Sequence, residues 1–139
     1  MRDAAGQLPD RLHLLDLAQL AFGLLTRRHL RDQLIVGARH DAQFGAQVVV
    51  GAGGVLVELL KDVAVLPAPV DAASARRVVE GLKVAPLLKA YRGRCALDVD
   101  AVVDAIVRLG WLAHDLARSA PGEDFEIDVN PLKVRLQGQ

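Results

Sequence analysis

The sequence predicts an α+β fold: an antiparallel sheet with helices packed on it, and one extra helix at the N-terminus. Three observations predict it. Two β-rich runs, Gln33–Arg39 and Gln47–Val50, flank a turn-forming His40-Asp41-Ala-Gln-Phe44-Gly45, the pattern of adjacent antiparallel strands. Two later stretches, about 72–82 and 99–118, repeat apolar residues every three or four positions, one face of a helix. Finally, Phe125, Ile127 and Val129 alternate with Glu126, Asp128 and Asn130, the period of a strand with one apolar face.

The composition is that of a folded domain. The chain has 139 residues, a length that suits one domain, and 52% are hydrophobic against 24% charged. Aromatics are only 4%, so the core must be built from Leu, Val and Ala, and stacking platforms for single-stranded nucleic acid are not expected. Seventeen basic and seventeen acidic residues balance, which removes the electrostatic footprint of a nucleic-acid binder. The single cysteine, Cys95, excludes an internal disulfide and a multi-cysteine zinc site. A balanced charge and one free thiol suit the cytoplasm. No run approaches the roughly 18 apolar residues that span a membrane, and the N-terminal apolar segment, interrupted by Asp16 and Gln19, lacks the form of a signal peptide.

Taken in order, residues 1–8 read as flexible and Pro9 to Thr26 as a helix, with Leu14, Leu17, Ala18, Ala21, Leu24 and Leu25 on one face. The strands Gln33–Arg39 and Gln47–Val50 follow. Gly51-Ala52-Gly53-Gly54 then reads as the tip of a hairpin whose second arm is Val55–Leu60. Lys61 to Val65 continues or bends that arm, and Pro67 and Pro69 end it. Asp71 caps the helix over about 72–82, Pro86 opens a short helix ending near Tyr91, and Arg92-Gly93-Arg94 is a basic loop. Asp98 caps the longest helix, with Trp111 off the centre of its apolar stripe and His114 at an edge. Pro131 ends the last strand or confines it to a sheet edge.

Two places carry candidate chemistry. The first is the glycine tip with Glu58, a carboxylate set inside an apolar run, where a charge must be paired, hydrated or bound to a cation. The tip does not fit a dinucleotide fingerprint, whose third glycine would fall on Leu56, nor a P-loop, since no Gly-Lys-Ser/Thr follows. A purely structural hairpin and a backbone contact to phosphate both remain open. The second is Asp128-x-Asn130: residues two apart on a strand share a face, and a carboxylate beside an amide oxygen suits Mg²⁺. An ordinary solvated polar edge is the alternative.

Four ordered segments carry a resemblance: Leu34-Ile-Val-Gly-Ala-Arg-His-Asp-Ala-Gln-Phe-Gly45, the run Gly51-Ala-Gly-Gly-Val-Leu-Val-Glu-Leu-Leu-Lys-Asp-Val63, the Pro86-Leu-Leu…Tyr91-Arg-Gly-Arg94 loop, and Asp128-Val-Asn-Pro-Leu132. Together they resemble the C-terminal part of the ATP-grasp domain of NDP-forming acyl-CoA synthetases, the acetate–CoA ligase (ADP-forming) type, which is in turn similar to succinyl-CoA synthetase β subunits. The resemblance divides the chain into a divergent N-terminal helical segment, 1–32, and a partial ATP-grasp domain, 33–136. It implies a ligase joining a carboxylic acid to coenzyme A with ATP or another NTP, through an acyl phosphate and a phosphohistidine. It implies Asn130 as a Mg²⁺ ligand with Asp128 as its carboxylate neighbour, Glu58 as a catalytic group, and Gly51, Gly53, Gly54 and Glu58 facing the nucleotide.

The departures are equally specific. The lysine-bearing lobe that precedes this region in the family has no counterpart in residues 1–30, and Lys133-Val-Arg-Leu-Gln-Gly-Gln139 has no counterpart to the second metal-binding acid. None of His13, His29, His40 or His114 sits in a phosphohistidine motif, and Cys95 stands where proline is common. The resemblance therefore implies a chain inactive alone that needs the other ATP-grasp lobe and the CoA-binding domains as partners. Its unpartnered apolar surface also makes self-association plausible. The competing expectation is a non-catalytic remnant or an interaction or regulatory module, including the ATP-grasp-like part of a protein acetyltransferase.

Overall fold

The computed structural model describes residues 32–54, 60–90 and 93–139. The elements run β1 (Gln33–Asp41), β2 (Gly45–Ala52), β3 (Val63–Pro67), α1 (Ala72–Gly81), α2 (Ala85–Leu88), α3 (Val99–Ser119) and β4 (Glu126–Lys133). The strands form one antiparallel sheet in the order β3-β2-β1-β4. This is the α+β layer the sequence predicts. The N-terminal helix expected over 9–26 lies outside the described residues.

β1 and β2 are joined by a short turn. The Asp41 carboxylate accepts the backbone N–H groups of Gln43 and Phe44 at 2.9 and 3.0 Å, and Gly45 takes φ +75°, a left-handed conformation that favours glycine. The register then pairs Asp41 with Gly45 through to Leu34 with Ala52. Along both strands the even-numbered residues are buried: Leu34, Val36 and Ala38 on β1, Ala46, Val48, Val50 and Ala52 on β2. That face carries the core. Val79, Leu82, Leu88, Val102 and Ile106 from the helices pack on it.

The third strand differs from expectation. The predicted arm Val55–Leu60 falls largely outside the described residues, but Leu60 is helical, and the strand that pairs with β2 begins only at Val63. Gly51 and Ala52 are the last residues of β2 rather than part of a tip. Before β3 starts, Lys61 adopts φ 45° and the Asp62 carbonyl accepts the Ala52 N–H at 3.0 Å. Val63, Val65 and Pro67 are exposed while Ala64 and Leu66 are half-buried, so β3 is a sheet edge with one face turned to the core.

The helices form where their caps and stripes predict. Asp71 caps α1 by accepting the Ser74 N–H at 2.8 Å and the Ser74 hydroxyl at 2.7 Å. Asp98 caps α3 by accepting the Ala101 N–H at 3.0 Å. On α3, Val102, Ile106, Gly110 and Ala113 are buried. A Cβ on Gly110 would lie 2.9 Å from the Val70 nitrogen, so the missing side chain lets α3 close onto the segment before α1. Arg76 of α1 pairs with Asp100 of α3. The C-terminal residues return beside the start of α3 through a Leu97–Leu136 bridge and an Asp98 N–H to Arg135 carbonyl bond of 2.9 Å. Among the described residues no helix is long and apolar enough to cross a membrane.

Two outcomes follow for stability. Ile106 is fully buried at the centre of the core, so Ile106→Ala should lower the unfolding free energy by roughly 2–5 kcal/mol, read from urea denaturation; a loss below half that range would place the core elsewhere. The second concerns acid. The Ser74 hydroxyl and backbone hold the Asp71 carboxyl below its ordinary value of 3.8, and the Gln43 and Phe44 amides do the same for Asp41. A depressed folded-state pKa contributes stability above the unfolded value, and that contribution disappears as pH falls through the folded one. The melting temperature should therefore fall below about pH 4, and Asp71→Asn should make that acid limb shallower. An unchanged limb would show that this cap does not titrate with folding.

Candidate functional site

The described helices pack on the even-numbered face of the sheet. The other face carries Ile35, Gly37 and Arg39 from β1, Gln47, Val49 and Gly51 from β2, Val63 and Val65 from β3, and Asp128 from β4, as the two-residue alternation requires. Val63 and Val65 are 49% and 47% exposed. At the far end of this face Arg39 donates to the Gln47 side-chain carbonyl at 3.4 Å from both Nε and an Nη.

Three glycines make the strands approach closely. A Cβ on Gly37 would lie 2.9 Å from the Ile127 carbonyl oxygen, one on Gly51 2.8 Å from the Asp62 carbonyl oxygen, and one on Gly53 2.8 Å from the Gln33 carbonyl. The Gly53 N–H is committed to the sheet, donating to the Gln33 carbonyl at 2.9 Å. Gly54 is exposed and takes φ 64°. Of the glycines expected at a nucleotide, Gly51 and Gly53 are thus buried by neighbouring backbone, and Gly54 alone is open to solvent. Glu58 lies outside the described residues.

Asp128 and Asn130 are both exposed on β4. Asp128 pairs in register with Gly37, and its Oδ1 lies 3.9 Å from where a Gly37 Cβ would stand. The absent side chain of Gly37 leaves the carboxylate room over β1. Asn130 sits at an irregularity. The register steps from Val36–Val129 to Leu34–Leu132, so Asn130 and Pro131 together face the single residue Ile35, a β-bulge. Ile35 also pairs with Gly51 on its other side. Gly51, Ile35 and the Asn130 bulge therefore lie on one row across β2, β1 and β4, spanning about 10 Å at ordinary strand spacing. The bulge also resets the alternation, since Val129 and Leu132 both line the side facing α3.

As donors, these residues offer one carboxylate and one amide oxygen. Among the described residues no three His, Cys, Asp or Glu side chains gather into a metal-binding group. A pair of hard oxygen donors fits Mg²⁺, which keeps waters and takes the rest of its shell from phosphates, and does not fit zinc.

A residue the sequence reading left unassigned holds this end of the sheet. Asp62 is 6% exposed, and both its oxygens accept backbone N–H groups, from Lys83 at 2.9 Å and Val84 at 3.0 Å. Lys83 Nζ in turn donates to the Leu60 carbonyl at 2.9 Å. The carboxylate ties the chain between β2 and β3 to the start of α2. Its signal was an acid beside the apolar Val63-Ala-Val-Leu66, where burial demands partners. Gly37 had a signal too: a lone glycine inside a strand marks a close approach.

Against known proteins, a model of the ATP-grasp domain matches residues 2–139. A trans-feruloyl-CoA synthase from an unknown prokaryotic organism is 36% identical over 143 residues, covering all of this chain and 19% of that protein. The β subunit of an ADP-forming acetate–CoA ligase II from Pyrococcus furiosus is 34% identical over 122 residues, covering 85% of this chain and 49% of the subunit. Among solved structures, an acetyl-coenzyme A synthetase 1 of Ca. Korarchaeum cryptofilum, in complex with coenzyme A and Ca-AMPCP, superposes with a TM-score of 0.66 at 35% identity over 76% of this chain and 44% of that one. The chain thus spans half or less of the length of these relatives.

The Asp62 clamp is open to test. Asp62→Ala leaves two buried N–H groups without acceptors and should cost roughly 3 kcal/mol, with faster hydrogen exchange at Lys83 and Val84. Asp62→Asn, which keeps one acceptor oxygen, should recover part of the loss. A cost within 0.5 kcal/mol of zero, on the order of an ordinary surface substitution, would remove Asp62 from this role.

Proposed function

Because this chain belongs to the ATP-grasp domain family, we propose that it is one wall of a Mg·ATP cleft in an NDP-forming acyl-CoA synthetase, working with further ATP-grasp and CoA-binding segments. The observation that carries this reading is the row on the face of the sheet that no described helix covers. It joins the glycine end of β2 to the Asp128–Asn130 pair, with the exposed Gly54 just beyond. The similar Korarchaeum structure is a complex with coenzyme A and the nucleotide analogue Ca-AMPCP, which supports this reading.

In this role Asn130 and Asp128 hold Mg²⁺ with their side-chain oxygens. Held there, Mg²⁺ would supply positive charge against the charge that develops during phosphoryl transfer. The chain's own residues do the positioning. Gly37 leaves room for the Asp128 carboxylate, and the bulge sets Asn130 at the sheet edge. Gly54 offers backbone without a side chain at the end of β2, where a phosphate can approach. Gly51 and Gly53 serve by letting the strands close rather than by touching the nucleotide. Glu58, four residues past Gly54, is the acid assigned to the nucleotide side of the cleft. ATP or another NTP, Mg²⁺ and coenzyme A are the cofactors and cosubstrate of the complete ligase.

A second reading, a non-catalytic interaction or regulatory module of the same fold, is favoured by the small donor set. The two readings separate by calorimetry of the full chain titrated with Mg·ATP, alone and with a polypeptide carrying the complementary ATP-grasp lobe. Binding should strengthen when the second lobe is present, and Asn130→Ala should weaken it about tenfold or more. No binding in either mixture, or binding indifferent to Asn130→Ala and Asp128→Ala, would overturn the nucleotide reading in favour of the module.

A further inference from the structure

One cation stands apart on the sheet face that no described helix covers. Among the residues that β1, β2 and β3 present there, Arg39 alone is basic. It is exposed, and Glu126 of β4 lies opposite it in register. The two do not join: the ion pairs among the described residues are His40–Asp124, Arg76–Asp100 and Arg108–Asp104. Arg39 turns instead to its other neighbour, and its Nε and one Nη both reach the Gln47 side-chain oxygen at 3.4 Å. A neutral amide leaves the guanidinium its full charge, and two such long contacts leave most of its donor capacity open.

The neighbouring rows give that charge a place to act. Two residues back along β1, about 7 Å away, stands Gly37, in register with Asp128. Gly37 has no side chain, and Asp128 Oδ1 lies 3.9 Å from where its Cβ would stand. No side chain of β1 therefore separates Arg39 from the Asp128 carboxylate, and an extended arginine spans one such step. Two residues further back, Ile35 faces the Asn130 bulge on one side and Gly51 on the other. Gly53 bonds to the Gln33 carbonyl at 2.9 Å, so the exposed Gly54 lies beyond the last of these rows. The face thus runs in one line from Gly54, over the Asn130 and Asp128 oxygens, to Arg39.

We propose, resting on the Mg·nucleotide reading above, that Arg39 binds the terminal phosphate of the nucleotide, with Gln47 holding its guanidinium in place. The glycine end of β2 takes the nucleotide side, so a polyphosphate laid along this line ends at Arg39. A guanidinium meets two oxygens of one phosphate with two parallel N–H groups, which an ammonium does not. Arg39 then distinguishes a nucleoside triphosphate from a diphosphate, which stops one phosphate short of it.

Calorimetry of the full chain, mixed with a polypeptide carrying the complementary ATP-grasp lobe, tests this with Mg·ATP and Mg·ADP as probes. Arg39→Ala should weaken Mg·ATP about tenfold or more and Mg·ADP less than about twofold, with the melting temperature unchanged. Arg39→Lys should recover part of the loss for ATP, and Gln47→Leu should show a smaller loss with the same preference. An equal loss for both nucleotides on Arg39→Ala, or none for either, would overturn the assignment of Arg39 while the Mg·nucleotide reading stands. Lys133 ends β4 at the far end of the face, in register with Gln33. A loss confined to ATP from Lys133→Ala, and not from Arg39→Ala, would reverse the nucleotide and overturn the assignment as well. An unmodified chain that binds neither nucleotide beside the second lobe would overturn both readings.

Discussion

The Asp62 carboxylate is the contact on which the described structure turns. A buried carboxylate is tolerated only where its oxygens are met by donors, and hydrogen bonds to a charged group are the stronger kind. Here both oxygens are met by adjacent backbone amides, Lys83 and Val84, while the same residue's carbonyl closes the ladder at Ala52. One residue therefore joins the end of β2, the start of β3 and the start of α2. β3 is a five-residue edge strand with two exposed valines, and its pairing with β2 alone is a weak anchor. Because Asp62 is fastened to the helix layer, β3 enters the sheet at a defined register and the odd-numbered face keeps its shape.

That face is shaped as much by missing side chains as by those present. Gly37, Gly51 and Gly53 each stand where a Cβ would press on a neighbouring carbonyl. Their first role is to let β1, β2 and β4 close to hydrogen-bonding distance. The glycine-rich run, for which a structural role and a phosphate contact were both open, packs the strands through Gly51 and Gly53, and Gly54 is its one solvent-exposed member. Asn130, at the other end of the row, sits in the bulge opposite Ile35, while Asp128 pairs regularly with Gly37.

The opposite face shows why the helices sit where they do. Gly110 admits Val70 against α3, and the Asp71 and Asp98 caps set the two starts from which α1 and α3 cross the sheet. Arg76 and Asp100 join those helices at the surface. The core is consequently aliphatic, with Leu34, Val48, Val50, Val79, Leu88 and Ile106 filling it, as a chain poor in aromatics must do. Among the described residues, that packing leaves Leu112 and Leu116 on the outer side of α3 exposed.

Much of this was legible before any coordinates. Alternation along 125–132 and the three- and four-residue stripes of α1 and α3 are local, because side-chain direction follows from backbone period alone. Asp71 and Asp98 are caps because the orphan amides they satisfy lie within three residues. Asp41 and Gly45 likewise determine their own turn. The sequence by itself thus determined the α+β class, the strand-turn-strand of β1 and β2, the helix starts and the alternating last strand that bears Asp128 and Asn130. The tertiary structure decided the rest. It started the strand that pairs with β2 at Val63, buried Asp62 against Lys83 and Val84, and gave Gly37 and Gly51 their close neighbours. It also set Asn130 in a bulge across from Ile35. Each of these depends on which distant backbone lies within hydrogen-bonding reach, and residue period and propensity carry no information about that distance.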